Sequence, residues 1–131
     1  RQLAHWFAAQ PQCVQVLHPA FPHSPGHAHW QAICAPQGRP GCAAGLFSVM
    51  ISERYASDQV DAFCDRLKLF KIGYSWGGPV SLVVPYKLNA MRQAWPAHLR
   101  PGTLVRFSMG LESVHALQQD LQQALRAALP D

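Results

Sequence analysis

The chain has 131 residues, 49% of them hydrophobic and 14% charged, a balance that excludes a disordered segment and fits one domain with a substantial core. Its formal net charge is +4, but the basic residues are scattered and never alternate with aromatic ones, so the composition argues against binding to nucleic acid. No apolar run reaches the roughly 18 residues that span a bilayer, and no signal peptide is visible, so we expect a cytoplasmic location and no membrane partner.

The first half of the chain predicts short helices and strands separated by two loops rich in proline and glycine. Leu3, Trp6 and Phe7 have helical spacing, and Pro11 ends that helix. The chain begins at Arg1 rather than at Met, already inside this helical pattern, which indicates part of a longer protein. In order, the patterns predict a helix at 2–10, a strand at 13–17, a loop at 19–26, a helix at 27–34, a loop at 35–44 and a buried strand at 45–52.

The second half contains the most regular patterns. We expect Ser57 to cap a helix at its N-terminus, where Asp58 suits the positive end of the helix dipole. In order, the patterns predict that helix, strands at 72–76 and 80–84 around a glycine turn, an unassigned stretch at 86–100, a strand at 103–109 and a helix at 113–128.

The order of these elements predicts an α+β fold for a single domain over residues 1–131. Several predicted strands follow one another with no crossover helix between them, which favours antiparallel pairing. We therefore expect a mostly antiparallel sheet of about four strands that is covered by helices on one face.

Arg106 is the first candidate site residue, because it interrupts the otherwise apolar strand Leu104-Val105-Arg106-Phe107. The two-residue period of a strand places it on the same face as Leu104. A buried guanidinium needs an anionic partner, and its planar fork can donate two parallel hydrogen bonds to a carboxylate. From the pattern alone, the alternative is an exposed strand residue or a structural ion pair.

The second candidate is the turn Gly73-Tyr74-Ser75-Trp76-Gly77-Gly78. Adjacent glycines after an aromatic residue suggest close backbone approach to a ligand, with Ser75 and backbone N–H groups as donors. The alternative is a hairpin turn in which Tyr74 and Trp76 pack in the core.

No metal site and no complete catalytic motif is predicted. His23 and His27 are four residues apart, but Pro25 and Gly26 between them oppose a shared helix face. A G-x-S-x-G nucleophile motif and a glycine-rich phosphate loop are both absent, and the acidic residues are few and scattered. We therefore assign no catalytic residue to this chain.

The four cysteines form no C-x-x-C motif, so we interpret them as reduced thiols without a metal or redox motif. Cys34 and Cys42 flank the second Pro/Gly-rich loop, and adventitious pairing of these two on oxidation is an open alternative.

Six stretches cover most of the chain: VLHPAF at 16–21, PGHAHW at 25–30, GLFSVMI at 45–51, FKIGYSWGG at 70–78, SLVVPY at 81–86 and GTLVRFSMGLES at 102–113. Together and in this order, they resemble the C-terminal domain of the enzymes of cysteine and methionine metabolism that depend on pyridoxal phosphate (PLP). Within that family, serine-tryptophan before the glycine pair is similar to the cystathionine β-lyase branch, whereas the γ-lyase and γ-synthase branches usually have leucine there.

The resemblance implies the small domain of a fold type I enzyme, a homotetramer that uses PLP to cleave cystathionine or a similar thioether in methionine biosynthesis. It implies that Arg106 binds the α-carboxylate of the amino-acid substrate and that Ser75 and Trp76 line the same pocket. The lysine that carries PLP belongs to the larger upstream domain in this family, and none of Lys68, Lys71 and Lys87 has its Ser/Thr-rich context. We therefore expect this chain to bind no PLP and to be inactive alone.

Two departures from the family pattern leave the substrate open. Val80 stands where a glutamate is usual, and the loop at 35–43 is longer than usual. The alternatives are another branch of the family, such as a γ-lyase, γ-synthase or sulfhydrylase, and a free-standing interaction module without enzymatic activity.

Overall fold

The computed structural model describes residues 1–36 and 39–131, and helices and strands alternate along much of this length. Their bounds in chain order are α1 Gln2–Ala8, β1 Cys13–Leu17, α2 His27–Cys34, β2 Leu46–Ser52, α3 Ser57–Asp65, β3 Lys71–Ile72, β4 Leu82–Tyr86, α4 Leu88–Met91, β5 Gly102–Ser108 and α5 Val114–Ala128.

The strands form one sheet in the order β1-β2-β5-β4-β3. The pairs β1–β2, β2–β5 and β4–β5 are antiparallel, and only the short pair β3–β4 is parallel among the described strands. The predicted α+β class and mostly antiparallel sheet are therefore confirmed. The sheet has five strands rather than about four, because β3 adds a two-residue strand at one edge.

The hydrophobic core lies between one face of the sheet and three helices. Alternate residues of the central strands, such as Val49 in β2 and Phe107 in β5, point into it and are fully buried. Phe7 of α1, Phe63 of α3 and Leu121 of α5 are fully buried in the same cluster. The prediction that helices cover one face is confirmed, and residues on the other face of β5 are turned away from this core.

The strand predicted at 72–76 is wrong beyond its first residue. Ladder pairing joins Lys71 to Leu82 and Ile72 to Val83, and it ends there. Farther along, the carbonyl of Tyr74 accepts a hydrogen bond from a side chain, and so does not belong to the ladder. The N–H of Gly77 is likewise bonded to a side chain, Ser108 Oγ, at 3.3 Å.

The predicted helix cap is displaced by one residue. Ala56 rather than Ser57 precedes the first helical residue of α3, and Gln59 Oε1 accepts the N–H of Ala56 at 2.9 Å. The Ser57 hydroxyl is buried without a hydrogen-bond partner among the described residues. Asp58 does lie in the first turn, as predicted from the helix dipole.

The long loop predicted at 35–43 includes residues 37 and 38, which lie outside the described residues, so its length relative to the family stays a prediction. In the part of the chain that the structure describes, each helix is too short or too polar to cross a membrane.

Candidate functional site

Arg106 lies in the middle of β5, on the sheet face that is turned away from the helical core. Its neighbours in register are Ser48 on β2 and Val84 on β4. Leu104 and Ser108 share its face, as the two-residue period requires, whereas Val105 and Phe107 point into the core. The side chain of Arg106 is half-buried, so the sheet presents a cation at its own surface.

Three groups around Arg106 fix its guanidinium. Nη2 donates a hydrogen bond of 2.7 Å to the backbone carbonyl of Tyr74. The guanidinium carbon lies 5.7 Å from the ring centroid of Trp76 and the same distance from that of Tyr86. Both distances are within the range of cation–π attraction, which stabilises a cation without neutralising it. Arg106 is therefore oriented by uncharged groups.

No carboxylate of the described residues forms a salt bridge with Arg106, although four of the chain's acidic side chains do have partners. Those partners lie elsewhere: Asp61 pairs with Lys87, Asp131 with Arg54, Asp120 accepts the N–H groups of Lys68 and Leu69, and Glu112 binds Ser81. The structural ion pair that the sequence left open for Arg106 is thus not present among these residues. The charge of Arg106 is available to an external anion.

The segment 73–80 runs beside Arg106 and is exposed along most of its length. Tyr74 is 72% exposed and Trp76 is 63% exposed, so the alternative that these rings pack in the core is wrong. Ser75 between them is also exposed. Gly77 has a φ of +74°, in the left-handed region that favours glycine. Trp76 thus contacts Arg106, whereas Ser75 makes no recorded contact with it.

A buried polar cluster that the sequence patterns did not predict fixes the end of this segment. Ser81 is fully buried; its N–H donates to Glu112 Oε1 at 3.0 Å and its hydroxyl donates to Glu112 Oε2 at 2.7 Å. The Ser81 hydroxyl also accepts the N–H of Gly110 at 2.9 Å. Burial acts to raise the pKa of the Glu112 carboxyl, but these donors from Ser81 and its own N–H hold the pKa below its usual value.

Two residues near this cluster, Gly110 and Ser113, are of types that could have indicated it in the sequence. Gly110 has no space for a side chain, because a Cβ there would overlap the carbonyl of Pro79 and the N–H of Ser81. Ser113 caps α5 by accepting the N–H of Ala116 at 3.1 Å. The run Gly110–Ser113 therefore makes hydrogen bonds both to the residue before β4 and to the first turn of α5.

Val80, at the position where the family resemblance implies a glutamate, is 45% exposed.

The three lysines of the chain do not form a site for covalently bound PLP. Lys87 Nζ lies 3.2 Å from Asp61 Oδ2, and Lys71 Nζ donates to the carbonyl of Lys68 at 2.7 Å. All three side chains are exposed to solvent. A Schiff-base lysine needs different surroundings, in which burial or a neighbouring cation lowers its pKa. The surroundings of these lysines do not fit a covalently bound PLP.

The histidines have structural contacts. His27 Nδ1 donates to the carbonyl of Pro19 at 2.8 Å, and His23 is exposed. His18 is almost fully buried, its Nδ1 accepts the N–H of Ala20, and burial lowers its pKa to about 4. Within residues 1–36 and 39–131, no three side chains of the metal-binding types come together.

Comparison with known proteins gives consistent matches along nearly the whole chain. The family model described as Cys/Met metabolism PLP-dependent enzyme matches residues 1–126. A cystathionine beta-lyase of Salmonella typhimurium is 39% identical over 92% of this chain and 29% of its own length. An L-alanine/L-glutamate racemase of Wolbachia pipientis is 33% identical over 98% of this chain and 30% of its own length.

A solved structure agrees with this match. An O-acetylhomoserine sulfhydrylase of Wolinella succinogenes superimposes with a TM-score of 0.69 at 26% identity, over 95% of this chain and 30% of that one. The chain spans about 30% of the length of the curated relatives it matches.

Proposed function

The chain belongs to the Cys/Met metabolism PLP-dependent enzyme family, and from that premise we propose that it is the C-terminal domain of a carbon–sulfur lyase of the cystathionine β-lyase type. The full-length enzyme would cleave cystathionine to homocysteine, pyruvate and ammonia in methionine biosynthesis. The 39% identity to a curated cystathionine beta-lyase supports this branch over the others.

The observation that carries the proposal is the free charge of Arg106. A half-buried guanidinium without a recorded acidic partner, oriented by Trp76, Tyr86 and the Tyr74 carbonyl, is prepared to receive a carboxylate. Arginine can bind the α-carboxylate of an amino acid with two parallel hydrogen bonds. Ser75 and Trp76 would line the same pocket from the adjoining segment.

Such a contact would act by orientation. Two parallel hydrogen bonds fix the plane of the α-carboxylate and so restrict rotation of the substrate about its α-carbon. Fixing that rotation determines which bond of the α-carbon is aligned for the reaction, and correct alignment of reacting groups is worth several kcal/mol of barrier. The domain would thus supply the substrate-binding wall of an active site.

The remaining parts of that site would come from outside this chain. Because the described lysines do not fit PLP, we propose that the cofactor is held by the larger domain of a longer protein, and that this chain alone is inactive. The cytoplasmic location and the homotetrameric assembly implied by the family resemblance are part of the same proposal. The four cysteines, free in the structure, agree with a reducing compartment.

A substrate panel on the full-length protein tests the branch. We expect cystathionine to release pyruvate, the product of cleavage at the β-carbon, faster than a four-carbon keto acid, the product of cleavage at the γ-carbon. A preference for the four-carbon product, or for O-acetylhomoserine with a thiol donor, would assign the protein to the γ or sulfhydrylase branch. Inactivity of the PLP-loaded protein on all amino acids would support the non-enzymatic alternative.

Mixing this chain with PLP tests the location of the cofactor. We expect no saturable absorbance band from a protein-bound Schiff base, because each lysine is exposed and two of them are engaged in other contacts. A stoichiometric band that disappears in one of the variants Lys68→Ala, Lys71→Ala or Lys87→Ala would contradict the proposal and place the cofactor in this chain.

A further inference from the structure

Two cysteines that are separate in the sequence lie beside each other in the fold. Helix α2 ends at Cys34, and the chain returns so that the N–H of Cys42 donates to the carbonyl of Cys34 at 3.1 Å. Standard bond lengths then limit the distance between the two α-carbons to about 7 Å. Disulfides span roughly 4.4–6.8 Å between α-carbons, so this hydrogen bond holds the two backbones close to the separation that a disulfide requires.

Further contacts fix the return of the chain. Trp30 Nε1 donates to the carbonyl of Cys42 at 2.9 Å, and Arg1 Nη2 donates to the carbonyl of Gly41 at 2.8 Å. Gly41 has a φ of +68°, and a Cβ there would lie 2.7 Å from Ala35 Cβ and 2.8 Å from the Trp30 ring. Only glycine fits this close approach, so Cys42 is seated against the end of α2 by specific packing.

The other two cysteines are in different surroundings. Burial raises the pKa of the Cys13 thiol to about 11 and that of the Cys64 thiol to about 12. Thiolate is the reactive form, so both thiols are unreactive near neutral pH. Cys42, by contrast, is exposed and Cys34 is half-buried, so small reagents can reach the pair.

We propose that Cys34 and Cys42 form a reversible intramolecular disulfide by exchange with a low-molecular-weight disulfide, such as oxidised glutathione. The Cys42 thiolate attacks one sulfur of the reagent, which releases one small thiol and leaves a mixed disulfide. The Cys34 thiolate then attacks the Cys42 sulfur and releases the second small thiol. The protein dithiol loses two electrons, the reagent gains them, and the two thiol protons pass to the two released thiols.

The Cys34–Cys42 bond would fasten α2, which packs no buried residue against the core. Helix α2 contributes no buried residue, so it is held by contacts at its ends rather than by the core. Its C-terminus is separated from the start of β2 by the segment that carries Cys42. A covalent link there would fasten the C-terminus of α2 to that segment and lower the conformational freedom of the unfolded chain.

The experiment exposes the protein to excess oxidised glutathione and maps peptides without reduction by mass spectrometry. We expect two of the four thiols to be lost, a peptide linked through Cys34 and Cys42, and full recovery with dithiothreitol. Amide hydrogen exchange in α2 should slow on oxidation, and the melting temperature should rise by several degrees.

Variants separate the possible outcomes. Cys34→Ser should stop the reaction at a glutathione adduct on Cys42, whereas Cys13→Ala should leave the linkage intact. Stable glutathione adducts on both Cys34 and Cys42, a linkage that involves Cys13 or Cys64, or crosslinks between chains instead of within them would each overturn the proposal.

Discussion

The N–H and the hydroxyl of Ser81 both donate to the carboxylate of Glu112, at 3.0 and 2.7 Å. This two-point contact joins the residue before β4 to the turn before α5, and it satisfies the hydrogen-bonding groups of a fully buried serine. Ser81 directly follows the exposed segment 73–80, and Glu112 follows the strand that carries Arg106. The contact therefore both stabilises the fold and fixes the position of that segment beside Arg106.

Replacing Glu112 with glutamine should lower the free energy of unfolding by about 1–2 kcal/mol at neutral pH, because the contact loses its charge and one acceptor oxygen. The folded-state pKa of Glu112 is lowered, so its contribution is fully present above the ordinary glutamate pKa of about 4.3 and is lost as pH falls through the lower folded value. Urea unfolding of both proteins across acidic pH measures this.

The matched control for that substitution is Glu53→Gln, at an exposed glutamate whose side chain makes no hydrogen bond within residues 1–36 and 39–131. We expect its unfolding free energy to stay within about 0.5 kcal/mol of the wild type. If the Glu112→Gln difference persisted unchanged at a pH low enough to protonate Glu112 in the folded protein, the charge of Glu112 would not be its source.

Gly110→Ala should be among the most damaging small substitutions in the chain. The added methyl group would overlap backbone atoms of Pro79 and Ser81, which cannot move without breaking the Ser81 contact. Overpacking of this kind costs about 1–3 kcal/mol. Gly78→Ala is the control, since nothing lies within 4 Å of the added atom. Equal melting temperatures for the two variants would show that the turn relaxes freely.

In the full-length enzyme, Arg106→Lys should lower kcat/KM by about 100-fold or more. Lysine keeps the charge but loses the planar fork that contacts both carboxylate oxygens, and 1.4 kcal/mol corresponds to about a factor of ten. PLP content and melting temperature should change little, because the side chain has no recorded acidic partner and is only half-buried.

Arg92→Ala controls for a general loss of positive charge, since Arg92 is exposed and follows α4 instead of lying in a strand beside Arg106. Its kcat/KM should be close to wild type. Near-normal activity of Arg106→Lys would exclude the carboxylate role, whereas unfolding of that variant would show that the arginine is structural.

Tyr86 offers a test of how Arg106 is oriented. Tyr86→Leu removes one of the two rings that flank the guanidinium, whereas Tyr86→Phe keeps the ring and loses only the hydroxyl. A cation–π contact at a partly exposed site is worth about 0.5–1 kcal/mol, so we expect kcat/KM of the full-length enzyme to fall about two- to five-fold in Tyr86→Leu alone. Equal losses in both variants would assign the effect to the hydroxyl.

The sequence predicted those features that depend on local periodicity. The placement of Arg106 on the face of Leu104 followed from strand alternation, and the apolar stripe of α5 followed from helical spacing. The sequence did not predict that Tyr86 would lie beside Arg106, and the reason is the geometry of the sheet. Tyr86 approaches Arg106 through the register of β4 on β5, where it pairs with Leu104, and no pattern within one strand specifies that register.

The failure at 72–76 has a related cause. Tyr74 and Trp76 have high strand propensity, but propensity reflects side chains that pack on a pleated surface, and these two are exposed. The side chains of Arg106 and Ser108 form hydrogen bonds with the backbone of Tyr74 and Gly77 and so replace strand pairing there. Both lie about 30 residues farther along the sequence. The Ser81–Glu112 contact was missed for the same reason, because it joins residues whose proximity exists only after β4 and β5 have paired.

The order of the strands also constrains the kinetics of folding. The central ladder pairs β2 with β5, where Phe47 is opposite Phe107. Two segments from opposite halves of the chain must therefore meet before the central strands of the sheet can pair. Closing so long a loop is slow relative to forming local hairpins. During synthesis on the ribosome, β1 and β2 would therefore emerge well before their partner β5, with the apolar residues of β2 unprotected in the interval. Apolar surface and unpaired strand edges that are exposed in this interval make the incomplete domain prone to aggregate.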